Sequence, residues 1–141
     1  MDLSKRKALI EHIQSIGGLG MSAPAPVAPL HLFFDGNDDY GSIGCNLTDH
    51  PGPQGFYETL RSIHQRSDVV DVLVQIYEIE EDDVTMWPFS ERVFIVTTAD
   101  RETIAELLTR LQPTDIESEY PLPPHAEQPP EDCVVYAVWW D

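Results

Sequence analysis

"PLHLFF", residues 29–34, runs straight into "DGNDDYGSIG", residues 35–44. A short apolar run ended by Asp-Gly reads as a β-strand, and that reading decides the fold. Outward from it, Pro53 suits the first turn of a helix. Phe56, Leu60 and Ile63 then recur at i, i+4 and i+7, which predicts a helix reaching Arg66. "DVVDVLVQIYEIE", residues 68–80, is β-branched and reads as a second strand. "ERVFIVTTA", residues 91–99, reads as a third. Thr98 or Asp100 caps a second helix, whose Ile104, Leu107, Leu108 and Leu111 make one apolar stripe. "CVVYAVWW", residues 133–140, closes the chain as a fourth strand.

The order is β-α-β-β-α-β, the split arrangement of ferredoxin-like α+β folds. Right-handed crossovers would put both helices on one face of a four-stranded antiparallel sheet, with strand order 4-1-3-2. Residues 28–141 form this single domain. Residues 1–27 precede it as a helix over Ser4–Ile16, capped by Ser4, and a Pro/Ala-rich linker.

The 141 residues suffice for one domain with a real core. The net charge of −17 argues against nucleic acid and anionic membranes as partners, because both need a basic footprint. It favours salt-sensitive capture of a basic protein. Beyond residue 28 the basic residues are Arg61, Arg66, Arg92, Arg101 and Arg110, with no lysine. No apolar run approaches the roughly 20 residues of a membrane span. The N-terminus has the order of a signal peptide, but Glu11, His12 and Gln14 interrupt its apolar stretch, and a cytoplasmic protein is expected. Met21 is an alternative start.

The expected topology gathers acids. Asp35, Asp38 and Asp39 follow strand one, and Glu80, Glu81, Asp82 and Asp83 follow strand two. Glu91 opens strand three, and Glu131 and Asp132 open strand four. All would share one rim, together with Tyr40, Trp87 and Phe89. Aromatic anchors in a charged field are what binding hot spots look like.

Other chemistry fits these residues less well. Asp35, Asn37 and Asp39 match the first three ligand positions of an EF-hand loop, but Tyr40 stands where glycine is needed and Asn46 where glutamate is needed. Cys45 and His50 share a loop and could meet Cys133 as a nucleophile site, without a third orienting group. The remaining histidines have no ligand-like spacing, and Gly41, Gly44, Gly52 and Gly55 lack the lysine of a phosphate loop. No motif points to a cofactor, a metal or catalytic residues. A small enzyme or metal-binding protein built on Asp35–Asp39, Cys45 and His50 is the alternative.

Strand four is apolar on both faces, with Val135, Ala137 and Trp139 opposite Tyr136, Val138 and Trp140. Helices cover one face only. The N-terminal helix, the proline-rich segment 113–130 or a second copy of the chain must cover the other. A homodimer through this face, binding a small ligand there, is a further alternative.

"LFFDGNDDYGSIGCNL", the "WPFS" loop and the terminal "VWWD" together resemble a group of small acidic bacterial proteins of unassigned activity. The resemblance covers residues 28–141 and implies no catalytic residues. In style the chain is also similar to immunity proteins, which neutralise a toxin by covering its basic active-site cleft.

Overall fold

The computed structural model describes residues 1–20 and 25–141. The alternative start at Met21 and part of the Pro/Ala-rich linker lie outside the described residues. Among the described residues the chain is α+β, with four α-helices and one five-stranded antiparallel sheet. The helices are α1 (Leu3–Ser15), α2 (Leu30–Phe34), α3 (Pro53–His64) and α4 (Arg101–Leu107). The strands are β1 (Val27–Pro29), β2 (Val69–Gln75), β3 (Arg92–Thr97), β4 (Asp115–Glu117) and β5 (Val134–Trp139).

The ferredoxin-like expectation fails at the stretch that motivated it. Leu30–Phe34 is a helix, and the first strand is only Val27–Pro29. Leu30, Phe33 and Phe34 stand at i, i+3 and i+4, and all three are buried on one helical face. Pro29 keeps extended backbone and ends the strand, at a sheet edge where its missing N–H costs no ladder bond. β1 lies antiparallel against β2, pairing Val27 with Gln75 and Pro29 with Leu73. Strand order is β1-β2-β3-β5-β4. β1 and β2 are therefore not the parallel pair that a split crossover requires.

Alternate strand residues feed two clusters. Val72, Val74, Val93, Ile95, Tyr136 and Val138 face the helices and join Leu9, Phe33, Phe34, Phe56, Leu60 and Ile104. Each fully buried phenylalanine there contributes about 2–3 kcal/mol by apolar burial. Leu9 and Ile13 of α1 are completely buried in this same cluster, so the N-terminal helix is one of its walls. Its N-cap is Asp2 rather than Ser4, accepting from the backbone N–H groups of Ser4 and Lys5.

Phe94, Val96, Val135 and Ala137 face the other way. The proline-rich connection covers them, with Tyr120, Leu122 and Ala126 packed on that cluster. This strap begins beside β5, where Tyr120 N–H donates to the Val135 carbonyl at 3.1 Å. It reaches β1, where Val27 N–H donates to His125 Nε2 at 3.2 Å. Arg92 fastens it midway: the guanidinium lies 4.7 Å from the Tyr120 ring centre and 3.2 Å from that of Trp139, and it donates to the Tyr120 hydroxyl at 2.8 Å.

Candidate functional site

The loop after α2 is built on Asn37, which is wholly buried. Its Nδ2 donates to Ser42 Oγ at 2.9 Å and to the Phe33 carbonyl at 3.3 Å, and its Oδ1 accepts from Asp39 N–H at 3.0 Å. Gln54 of α3 donates to the Phe34 and Asn37 carbonyls. Gly36 adopts φ of 80°, and a Cβ there would meet Asp2 Cβ at 2.8 Å. That closeness lets Asp2 N–H donate to the Gly36 carbonyl and joins the loop to the start of α1.

The acids of this loop are spoken for. Asp35 pairs with Lys5 at 2.8 Å, and Asp38 with the N-terminal amine at 2.7 Å. Asp39 accepts from Gly41 N–H at 2.9 Å and, across 48 residues, from Trp87 N–H at 3.0 Å. The EF-hand-like trio of Asp35, Asn37 and Asp39 is thus consumed by bonds within the fold. Among the described residues, no three His, Cys, Asp or Glu side chains are grouped to hold a metal ion.

The second acidic loop, between β2 and β3, is clamped to the first. Ser90 N–H donates to the Ser42 carbonyl at 2.7 Å. Tyr77 N–H donates to the Phe89 carbonyl at 2.7 Å, and Phe89 N–H donates to the Glu78 carbonyl at 2.8 Å. Arg6 of α1, only 6% exposed, donates to the carbonyls of Met86, Glu80 and Asp83 at 2.8–3.2 Å. Asp83 accepts from Thr85 N–H and its hydroxyl, which holds its carboxyl below the ordinary 3.8. Glu81 accepts from Gln14 at 3.3 Å. Glu80 is pushed above its ordinary 4.5, first by sharing a hydrogen bond with Glu78 and then by that neighbour's charge. Among the described residues, no ion pair uses Glu78, Glu80, Glu81 or Asp82.

The aromatics divide. Tyr40 is 60% exposed, tilted against His50. Phe89 is half-buried. Trp87 is completely buried, so its ring belongs to the core and cannot anchor a partner. Tyr77, absent from the expected anchors, is 62% exposed. The signal for it was its place after β2, on the face opposite Ile76.

Because β3 and β5 are antiparallel, Val134 lies opposite Thr97 and Trp139 opposite Arg92. Glu131 and Asp132 therefore sit at the far rim, away from the two loops. Cys133 goes with them and does not meet Cys45. Both ring nitrogens of His50 are engaged within the fold: Nδ1 accepts from Gly52 N–H at 2.8 Å, which leaves Nε2 to donate to the Ile43 carbonyl at 2.7 Å.

Between the loops and the end of β5 lies a cleft of about 370 Å³. Cys45, Tyr77, Glu78, Phe89, Glu91 and Asp141 are among its lining residues. No helix among the described residues is long and apolar enough to cross a membrane.

A family model described as the uncharacterized protein YfbO family matches residues 4–138, taking in α1 as well as the sheet. The uncharacterized protein YfbO of Escherichia coli (strain K12) is 40% identical over 81 residues. That stretch is 57% of this chain and 56% of the relative, so the chain spans about half the length of the curated relative it matches. No solved structure matches the chain. The family match runs through nearly every element of the fold, and the chain belongs to the uncharacterized YfbO family.

Proposed function

We propose that the protein is a non-enzymatic, cytoplasmic binding module that captures a basic protein partner at the edge formed by residues 35–40 and 78–91. Masking that partner's basic surface, as an inhibitor or immunity protein does, is the sharpest form of this role. What supports the reading is the charge of Glu80, Glu81 and Asp82, which no ion pair among the described residues uses, together with exposed Tyr40 in the first loop and exposed Tyr77 in the second. Glu81, Asp82 and Asp83 provide steering. The Asp35, Asp38 and Asp39 carboxylates hold the edge in shape, and Tyr40 and Phe89 supply contact area.

The test is capture from native-host lysate at low salt, with the wild-type chain and an E81K/D82K variant as parallel baits. One basic protein held by the wild type and lost by the variant is expected. With that partner purified, the association rate should fall about tenfold in the variant at low salt and converge with the wild type at high salt. Equal retention by both baits, or an association rate indifferent to salt, would overturn the role.

A further inference from the structure

We propose that the cleft between the two loops is an arginine pocket: Glu78 and Glu91 fork a guanidinium group that stacks against Tyr77 and Phe89. The inference rests on the basic-partner reading and names the side chain that partner inserts.

The walls are preformed by backbone bonds. Tyr77 and Phe89 are joined on one side, Ser42 and Ser90 on another, and Trp140 N–H donates to the Glu91 carbonyl at 2.9 Å on the third. The volume of about 370 Å³ is that of a small-molecule or side-chain site. Its lining holds three acids, Glu78, Glu91 and Asp141, and no lysine, arginine or histidine. Arg92, next in sequence to Glu91, is turned away and held between the Tyr120 and Trp139 rings. The pocket's negative charge therefore has no internal counter-ion among the described residues. A complementary ligand must bring a cation and a flat surface. Guanidinium provides both, with a planar fork for carboxylates and a face for aromatic rings. An ammonium group would use the charge alone.

The experiment is a titration of the full ¹⁵N-labelled chain with N-acetyl-arginine methylamide, alongside the lysine and citrulline analogues. Saturable amide shifts are expected at Cys45, Tyr77, Glu78 and Glu91 with the arginine probe. The neutral citrulline analogue should bind at least about tenfold more weakly, and so should arginine to an E78Q/E91Q variant. Neither glutamate side chain is in an ion pair among the described residues, so this variant should keep the wild-type spectrum outside the cleft and Glu80, whose carboxyl shares a hydrogen bond with Glu78. E81K/D82K, altered outside the cleft lining, should bind the arginine probe within about threefold of wild type. Arginine and citrulline binding alike, the lysine analogue binding tighter, or no saturable shift would each overturn the pocket. So would arginine binding that E78Q/E91Q leaves unchanged. The two proposals fail separately. Full partner capture by E78Q/E91Q removes the pocket and leaves the edge, whereas arginine binding without any captured partner does the reverse.

Discussion

The two acidic loops look alike in sequence and differ in what their carboxylates do. In residues 35–39, Asp35 and Asp38 are ion-paired and Asp39 bonds two backbone N–H groups, one of them in the other loop. In residues 78–83, Glu78 and Glu80 crowd one another, and only Asp83 has a local cap. The first loop uses charge to build a shape. The second is held in shape by others, chiefly Arg6, and leaves its charge outward. Counting acids along a chain cannot separate these uses, because the difference lies in which donors the fold brings within reach.

The contrast breaks most visibly at Arg6. Arg6→Ala leaves the carbonyls of Met86, Glu80 and Asp83 without their charged donor. The expected loss is about 3 kcal/mol of unfolding free energy, read from the midpoint of a urea titration. A loss under about 0.5 kcal/mol would mean that the second loop holds itself. Next comes a matched pair. Asp39→Ala should cost about 2 kcal/mol, since it orphans Gly41 N–H and Trp87 N–H, whereas Asp82→Ala should stay within about 0.5 kcal/mol of wild type. Similar losses from the two would erase the distinction between the loops.

The smallest effect is in pH. Glu80 has a raised folded value, so its contribution to stability is fully present below the ordinary 4.5 and is lost as pH rises through the folded value. Asp83 has the opposite sign: its contribution is present above 3.8 and is lost as pH falls through its depressed folded value. Glu78→Gln should remove the largest part of the Glu80 contribution, giving a slightly higher Tm at pH 7 and a flatter profile between pH 7 and the ordinary 4.5. A Tm that falls at pH 7 would show that the Glu78–Glu80 pair is not a repulsive one.

The long elements were legible in the sequence because periodicity is local. The stripe Phe56, Leu60, Ile63 is α3, and the alternation around Tyr136 and Val138 divides β5 between the two clusters as its pattern says. The short ones were not. In "PLHLFF" six residues satisfy a strand and one helical turn about equally, and the choice is made by where Phe33 and Phe34 can be buried. β4 is three residues whose only strand-like property is its register against Ala137–Trp139. Whether β1 lies parallel or antiparallel to β2 depends on a contact across more than 40 residues, and the placement of Glu131, Asp132 and Cys133 follows from the equally distant pairing of β5 antiparallel to β3. The two acidic loops were expected to meet through first and second strands running the same way; they meet instead through the Ser42–Ser90 and Asp39–Trp87 bonds, and neither these nor the cations that pair with Asp35 and Asp38 carry a local sign. The burial of Trp87 carries no local sign, since "WPFS" reads equally as a surface loop.

The strap across the sheet also sets the fate of the chain's two thiols. Cys45 is exposed at the cleft. Cys133, partly buried, packs on the cluster that the strap covers, and desolvation, with Asp132 beside it, pushes its thiol pKa up. The thiolate is the form that oxidants and electrophiles attack. Under oxidising conditions the exposed Cys45 is therefore spent first, and Cys133, only partly exposed and with its thiol held in the protonated form, lags behind it. Damage at Cys133, measured against Cys45 in the same molecule, is then a gauge of how closely the strap covers that end of the sheet.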